Sequence, residues 1–120
     1  MNSEFDYAFE NMRLHHLLHQ LHPNEEVTGK VIFGCDENEN THGYSSWFFN
    51  DDINSQLSES GFKMMLIHLI DALIEYRRSF FHHGFREGVI SINGSKIRIE
   101  WLDDGEARTC IDRLNAELIN

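Results

Sequence analysis

The sequence predicts a single α+β domain in which helices cover one face of an antiparallel sheet. Three observations predict this class: a long stretch with helical periodicity in the middle of the chain, a pair of alternating strand patterns on each side, and an amphipathic helix pattern at each end. A chain of 120 residues with 41% apolar content has room for one core. We therefore expect the order α-β-β-α-β-β-α, with residues 1–120 forming one domain.

Residues 3–22 predict the first helix, and Pro23 is expected to end it. Its apolar side chains lie on two sides: Tyr7, Leu14, Leu17, Leu18 and Leu21 on one, and Phe5, Phe9 and Met12 on the other. Either both sides are covered or the helix bends near Asn11.

The next segment predicts two strands. Residues from Glu26 to Cys35 alternate and are rich in branched side chains, a polar loop follows, and the pattern resumes from Tyr44 to Phe49. In the second strand one side carries Trp47 and Phe49, and the other carries Tyr44 and Phe48. Since only one face of the sheet can meet the central helix, some aromatic surface is expected to be left over. A short linker should then lead to the central helix.

The stretch from Ser58 to Gly84 is the longest periodic segment and predicts the central helix. Ser58 or Ser60 is expected to cap its start, and Gly84 to end it after a basic last turn. Its large apolar side chains share one wide face, which needs a partner layer. That face consists of Phe62, Leu66, Leu69, Ile70, Leu73, Ile74, Tyr76, Phe80 and Phe81.

Residues 88–102 predict a hairpin around Asn93-Gly94, a dipeptide that favours a two-residue turn. This turn sets Ile90 opposite Ile97, and the two hairpins can pair as one four-stranded sheet. A final amphipathic helix, residues 106–119, is expected after a cap at Asp103 or Asp104.

The composition is strongly acidic, with 20 Asp and Glu against 10 Lys and Arg and a formal net charge of -10. The charge is uneven, since residues 1–62 contain eleven carboxylates against Arg13 and Lys30, whereas residues 63–120 are nearly neutral. Such a surface repels nucleic acid and anionic membranes and attracts basic proteins. We therefore expect a basic protein partner, with no direct nucleic-acid or membrane binding. The alternative is that the charge only keeps the protein soluble.

The lack of a signal-peptide pattern and of a membrane-spanning pattern predicts a cytoplasmic protein. Residues 1–12 lack the basic region and apolar run of a signal peptide, and the longest apolar run, interrupted by His68, is too short to cross a bilayer. Cys35 and Cys110 lack the spacing of a disulfide framework, so reduced thiols are expected.

Catalytic and cofactor motifs are not evident in the sequence. His15, His19 and His22 lie on one side of the first helix, and an i, i+4 histidine pair can bind zinc, but no Glu occupies the position that a zinc-protease motif requires. No glycine-rich loop joins a strand to a helix, and Arg77, Arg78 and Arg86 are expected to pair with carboxylates. We therefore predict no enzyme activity, no cofactor and no metal site, while leaving metal binding by the histidines open.

The remaining candidate is a partner-binding surface that combines carboxylates with aromatic side chains. Aromatic side chains that pack into a partner contribute affinity, and charged residues around them raise the association rate and the selectivity. The predicted residues are Asp36, Glu37, Glu39, Tyr44, Trp47, Phe49, Asp51 and Asp52. The alternative is that Trp47 and Phe49 belong to the core and the carboxylates are merely solvated.

In size, acidity, cytosolic character and lack of catalytic motifs, the whole chain resembles the small immunity proteins that bacteria make against contact-dependent growth-inhibition and related polymorphic toxins. No signature residue carries the resemblance. It implies a protein that binds a cognate basic toxin domain, often a nuclease, and neutralises it by covering the active site, with carboxylates where substrate phosphates would lie.

Two other classes remain open. The order of elements and the acidic composition also look like type III secretion chaperones, which dimerise around an unfolded effector segment. A metal-binding regulator or an enzyme is the third class. The oligomeric state is not predicted, although an obligate homodimer would favour the chaperone.

Overall fold

The computed structural model describes residues 7–21, 27–35, 42–81, 86–94, 96–103 and 105–119. They form an α+β domain with four helices and a four-stranded antiparallel sheet, which confirms the predicted class. The observed order contains one helix more than the predicted one. The elements are α1 (Tyr7–Leu21), β1 (Thr28–Cys35), β2 (His42–Phe48), α2 (Asp51–Glu59), α3 (Phe62–Phe80), β3 (Glu87–Asn93), β4 (Lys96–Leu102) and α4 (Glu106–Ile119).

The two hairpins form one sheet in the order β2-β1-β3-β4. Each hairpin is antiparallel, and the hairpins join through β1 and β3, which are also antiparallel. This arrangement confirms the expected pairing of the hairpins. It places β2 and β4 at the two edges of the sheet.

The predicted register of the second hairpin is wrong by two residues. Ile90 pairs with Ile99, not with Ile97, and Asn93 pairs with Lys96, so the turn begins after Asn93. Asn93 also pairs with Thr28 of β1, which keeps it within the strand. A shift of two leaves every side chain on its original face, so alternation in the sequence cannot detect the error.

The predicted central helix starts later than expected: α3 begins at Phe62, and Ser58 and Glu59 are the last residues of α2. Gly61 separates the two helices with a left-handed backbone, φ 83, which an L-residue adopts only under strain. Ser58, one predicted cap, lies inside α2, whereas the hydroxyl of Ser60 accepts a hydrogen bond from the amide of Phe62 at 3.4 Å. The predicted stop at Gly84 lies outside the described residues. The expected apolar face is confirmed by five fully buried side chains: Phe62, Leu66, Ile70, Leu73 and Ile74.

The segment expected to be a linker forms α2 instead. The side chain of Asn50 caps the helix by accepting the amide of Ile53 at 2.8 Å, and Ile53 and Leu57 are buried one turn apart. The Asn cap, acidic first turn and i, i+4 apolar pair were the signals for this helix in the sequence.

Helices cover both faces of the sheet, so the prediction of helices on one face is wrong. The face that carries Val31 and Phe33 packs in one core with buried residues of α1, α2 and α3. On the opposite face, Ile32 is buried and α4 contacts β1 and β3. We refer to these as the core face and the α4 face.

The first helix differs from the expectation that both of its sides are covered or that it bends near Asn11. Helix α1 runs through Asn11 without interruption, and its second apolar side is only partly covered, since Phe9 packs half-buried against the core and Met12 is 65% exposed. Helix α4 has the predicted bounds, and its start is held by Glu87 of β3, whose carboxylate accepts the amides of Gly105 and Ala107 at 2.8 and 2.9 Å.

Candidate functional site

The predicted partner-binding residues that the structure describes lie along the edge strand β2 and at the start of α2. Asp51 and Asp52 are exposed in the first turn of α2. Their carboxylates lie at the positive end of the helix dipole, which favours them there. Asp36, Glu37 and Glu39 belong to the segment between β1 and β2 that lies outside the described residues.

Trp47 and Phe49 share the core face, with ring centroids 6.3 Å apart. Both pack against the core and remain half-exposed. The indole of Trp47 donates to the hydroxyl of Ser45 at 3.0 Å, and the ammonium of Lys63 lies 5.2 Å from the centre of the Trp47 ring. The two side chains therefore contribute to the core and to the surface at once.

Tyr44 lies on the α4 face of the same edge strand. It pairs with Gly34 of β1, and a β-carbon at Gly34 would collide with the Tyr44 ring. The guanidinium of Arg108 lies 4.6 Å from the centre of that ring. The predicted aromatic residues thus occupy both faces of one sheet edge rather than one face.

Two exposed methionines at the start of α3 extend this region. Met64 is 66% exposed and Met65 is 46% exposed, and both directly follow Lys63, which reaches the Trp47 ring. Flexible thioether side chains are common at binding surfaces. Neither methionine is among the binding residues predicted from the sequence. Their position outside the predicted apolar face of the helix indicated that both would be exposed.

A buried carboxylate on the core side joins three elements. Glu10 of α1 is 3% exposed and forms a bidentate pair with Arg77 of α3, at 2.7 and 2.8 Å. The indole of Trp101 in β4 donates to the same carboxylate at 3.1 Å. Because Glu10 accepts three hydrogen bonds from the protein itself, it links α1, α3 and β4 structurally. The expectation that Arg77 pairs with a carboxylate is confirmed.

The histidines of α1 form local contacts. The Nδ1 of His15 donates to the carbonyl of Asn11 at 2.8 Å, and the amide of Gln20 donates to the Nε2 of His16 at 3.2 Å. His22 lies outside the described residues. Within the described ranges, no group of three or more His, Cys, Asp or Glu side chains is placed to hold a metal ion.

In comparisons with known proteins, no family model matches the sequence, and neither a curated protein nor a solved structure is significantly similar to it. None of the helices in the described part of the chain is long and apolar enough to span a membrane.

Proposed function

We propose that this protein is a cytoplasmic immunity protein that binds a cognate basic toxin domain, such as a nuclease, and neutralises it by covering its active site. The observation that carries the proposal is the composition of one sheet edge, which we call the β2 edge: Tyr44, Trp47, Phe49, Asp51 and Asp52. Trp47 and Phe49 are partly exposed, and the helix that follows them, α2, exposes Asp51 and Asp52 in its first turn.

The β2 edge combines the parts that a protein-binding surface needs. Trp47 and Phe49 are held in place by packing against the core, so a partner that covers them loses little side-chain entropy. Lys63 is the one Lys or Arg among residues 42–76, against five carboxylates, so this segment has a negative net charge. A basic partner would be attracted over a long range, and association would be fast at low salt.

In the sheet that the described residues form, β2 pairs with β1 on one side and is the edge strand. A partner strand added at this edge would combine backbone hydrogen bonds with contacts to the aromatic side chains. In the proposed mechanism, carboxylates of this edge occupy the positions that substrate phosphates take in a nuclease domain.

The test begins with the tagged protein as bait at low and then raised salt. We expect one basic protein to remain bound at equal stoichiometry. That protein is then produced separately, and its toxic activity is measured with and without the bait. Loss of the activity on binding supports the proposal, whereas full activity in the complex contradicts it.

A charge variant tests the site. Asp51→Asn combined with Asp52→Asn should weaken binding to the partner at least tenfold and reduce its salt dependence, because two long-range attractions are removed. Asp112→Asn combined with Glu117→Gln removes the same charge from exposed positions of α4 and is the matched control. Equal affinities of the two variants in calorimetry would exclude the β2 edge. An obligate homodimer that holds unfolded effector segments would instead indicate a secretion chaperone.

A further inference from the structure

A groove lies on the α4 face of the sheet, away from the Trp47 and Phe49 side of the β2 edge. Its volume is about 870 Å³, and it is lined by residues of β1, β3, β4 and the middle of α4, together with Asn11 and His15 of α1. This volume falls within the range of about 300–1,000 Å³ that is typical of small-molecule sites. The groove exists because α4 contacts β1 and β3, whereas β4 contributes its outward side chains to an uncovered strip.

The charge of the groove is opposite to that of the protein. Four cationic side chains line it, against the single carboxylate of Glu100, in a chain with a net charge of -10. The cations are Lys30, Lys96, Arg98 and Arg113. Lys30 of β1 is distant in the sequence from the other three, which come from the consecutive elements β4 and α4, so the fold brings them to one place.

The strand register places two of these cations in one row. Lys30 pairs with Ser91, and Ser91 pairs with Arg98, so the two cations flank a hydroxyl across three strands. The next row on the same face contains Ile32, Val89 and Glu100. A row of cations therefore borders a largely apolar row.

No ion pair neutralises these cations within the described ranges. The only pair found there is the one between Arg77 and Glu10, on the core side. Arg113 donates to the Sγ of Cys110 at 3.8 Å, a weak contact that leaves its charge uncompensated. Four like charges around one groove repel each other, and an anion that enters it relieves this repulsion.

We propose that this groove binds a small amphiphilic anion. Its carboxylate or phosphate group lies between Lys30 and Arg98, and its apolar part lies against the partly exposed Val89 and Leu114. Lysine and arginine supply charge-assisted hydrogen bonds, and guanidinium groups suit both carboxylate and phosphate geometry. This inference does not depend on the proposed inhibitor function, because the groove and the Trp47 side of the β2 edge lie on opposite faces of the sheet.

The test is an NMR titration of the full chain with octanoate, octyl phosphate, acetate and octan-1-ol. We expect saturable shifts of amides in β3, β4 and the middle of α4 with the two octyl anions, and much weaker effects with acetate and octan-1-ol. The tighter of the two octyl anions identifies the preferred head group. Cys110 lines the groove, so the bound anion should also slow its alkylation by iodoacetamide, mapped by peptide mass spectrometry.

Matched variants make the test decisive. Lys30→Gln with Arg98→Gln should weaken binding of the octyl anions roughly tenfold or more, because two charge-assisted contacts are lost. Arg13→Gln with Arg108→Gln removes two exposed cations outside the groove and should leave binding unchanged. Absence of saturable binding, shifts that map to another surface, or equal affinity of both variants would overturn the proposal.

Discussion

The two faces of the sheet differ in how completely they are covered. On the core face, Val31, Phe33 and Ile90 are fully buried beneath the apolar surfaces of three helices. On the α4 face, one helix buries Ile32, and the strip beside it remains open and cationic. The strip is largely polar because side chains alternate between the two faces of β4, and those on the α4 face are Lys96, Arg98, Glu100 and Leu102. The core face supplies most of the stability, and the α4 face leaves surface free for a ligand.

Among the described residues, one buried carboxylate lies on each side of the sheet, and the two form different hydrogen bonds. Glu10 is paired with the charged Arg77 and the indole of Trp101 on the core side. Glu87, 8% exposed, accepts two backbone amides at the start of α4. Glu10 therefore links three elements, α1, α3 and β4, whereas Glu87 links only α4 to β3 of the sheet. Three sets of substitutions measure how far the two faces differ in stability.

The largest effect is expected for Arg77→Met, because it leaves the Glu10 carboxylate buried and without its cation. The free energy of unfolding should fall by about 3–5 kcal/mol, measured by chemical denaturation. Trp101, which contacts both partners, should report the change in its fluorescence after Trp47→Phe removes the other indole. The double variant Glu10→Leu with Arg77→Met should recover much of the loss. If the double variant is as unstable as the single one, the unpaired charge is not the cause.

The second effect compares one apolar residue from each side of the sheet. Ile70 is fully buried in α3, so Ile70→Ala should cost about 2–5 kcal/mol through lost burial and a cavity. Leu114 of α4 is only half-buried, and Leu114→Ala should cost less than half as much, since less apolar area is removed from contact. Equal losses in matched denaturation curves would show that the α4 face is as well packed as the core face.

The smallest effect is expected for Glu87→Ala, which removes the acceptor for the amides of Gly105 and Ala107. A lost helix cap costs about 0.5–2 kcal/mol, and the change should be local to α4. Hydrogen exchange should become faster at these two amides and in the first turn of α4, with little change in β1. Glu87→Gln keeps one side-chain oxygen as an acceptor and should show an intermediate effect. Uniformly faster exchange across the sheet would show that α4 unfolds only with the whole domain.

The sequence predicted most elements because their patterns are local. The leucines of α1, the alternation in β1 and the stripe of α4 each depend on residues within one element. The break at Gly61 was missed because a glycine near a helix start also fits a longer helix. Helix α2 was missed because its polar, acidic composition resembles a loop, although Asn50 and the pair Ile53 and Leu57 marked it.

The candidate site was predicted in part. Alternation in β2 correctly separated Tyr44 from Trp47 and Phe49, but it did not show that β2 is an edge strand. The groove was not predicted at all. Lys30, Arg98 and Arg113 belong to three elements, and no pattern within one element indicates that they line the same cavity.

By itself, the sequence determined the fold class, the acidic imbalance between the two halves and the apolar faces of β3, β4, α3 and α4, because these depend on composition and local periodicity. Only the tertiary structure decided the hairpin register, the side on which α4 packs, the pairing of Glu10 with Arg77 and the position of the cationic groove. The physical reason is that each of these depends on contacts between elements, neighbouring ones for the hairpin register and ones far apart in the chain for the other three. A register shifted by two, or a helix moved to the other face, leaves the local pattern unchanged.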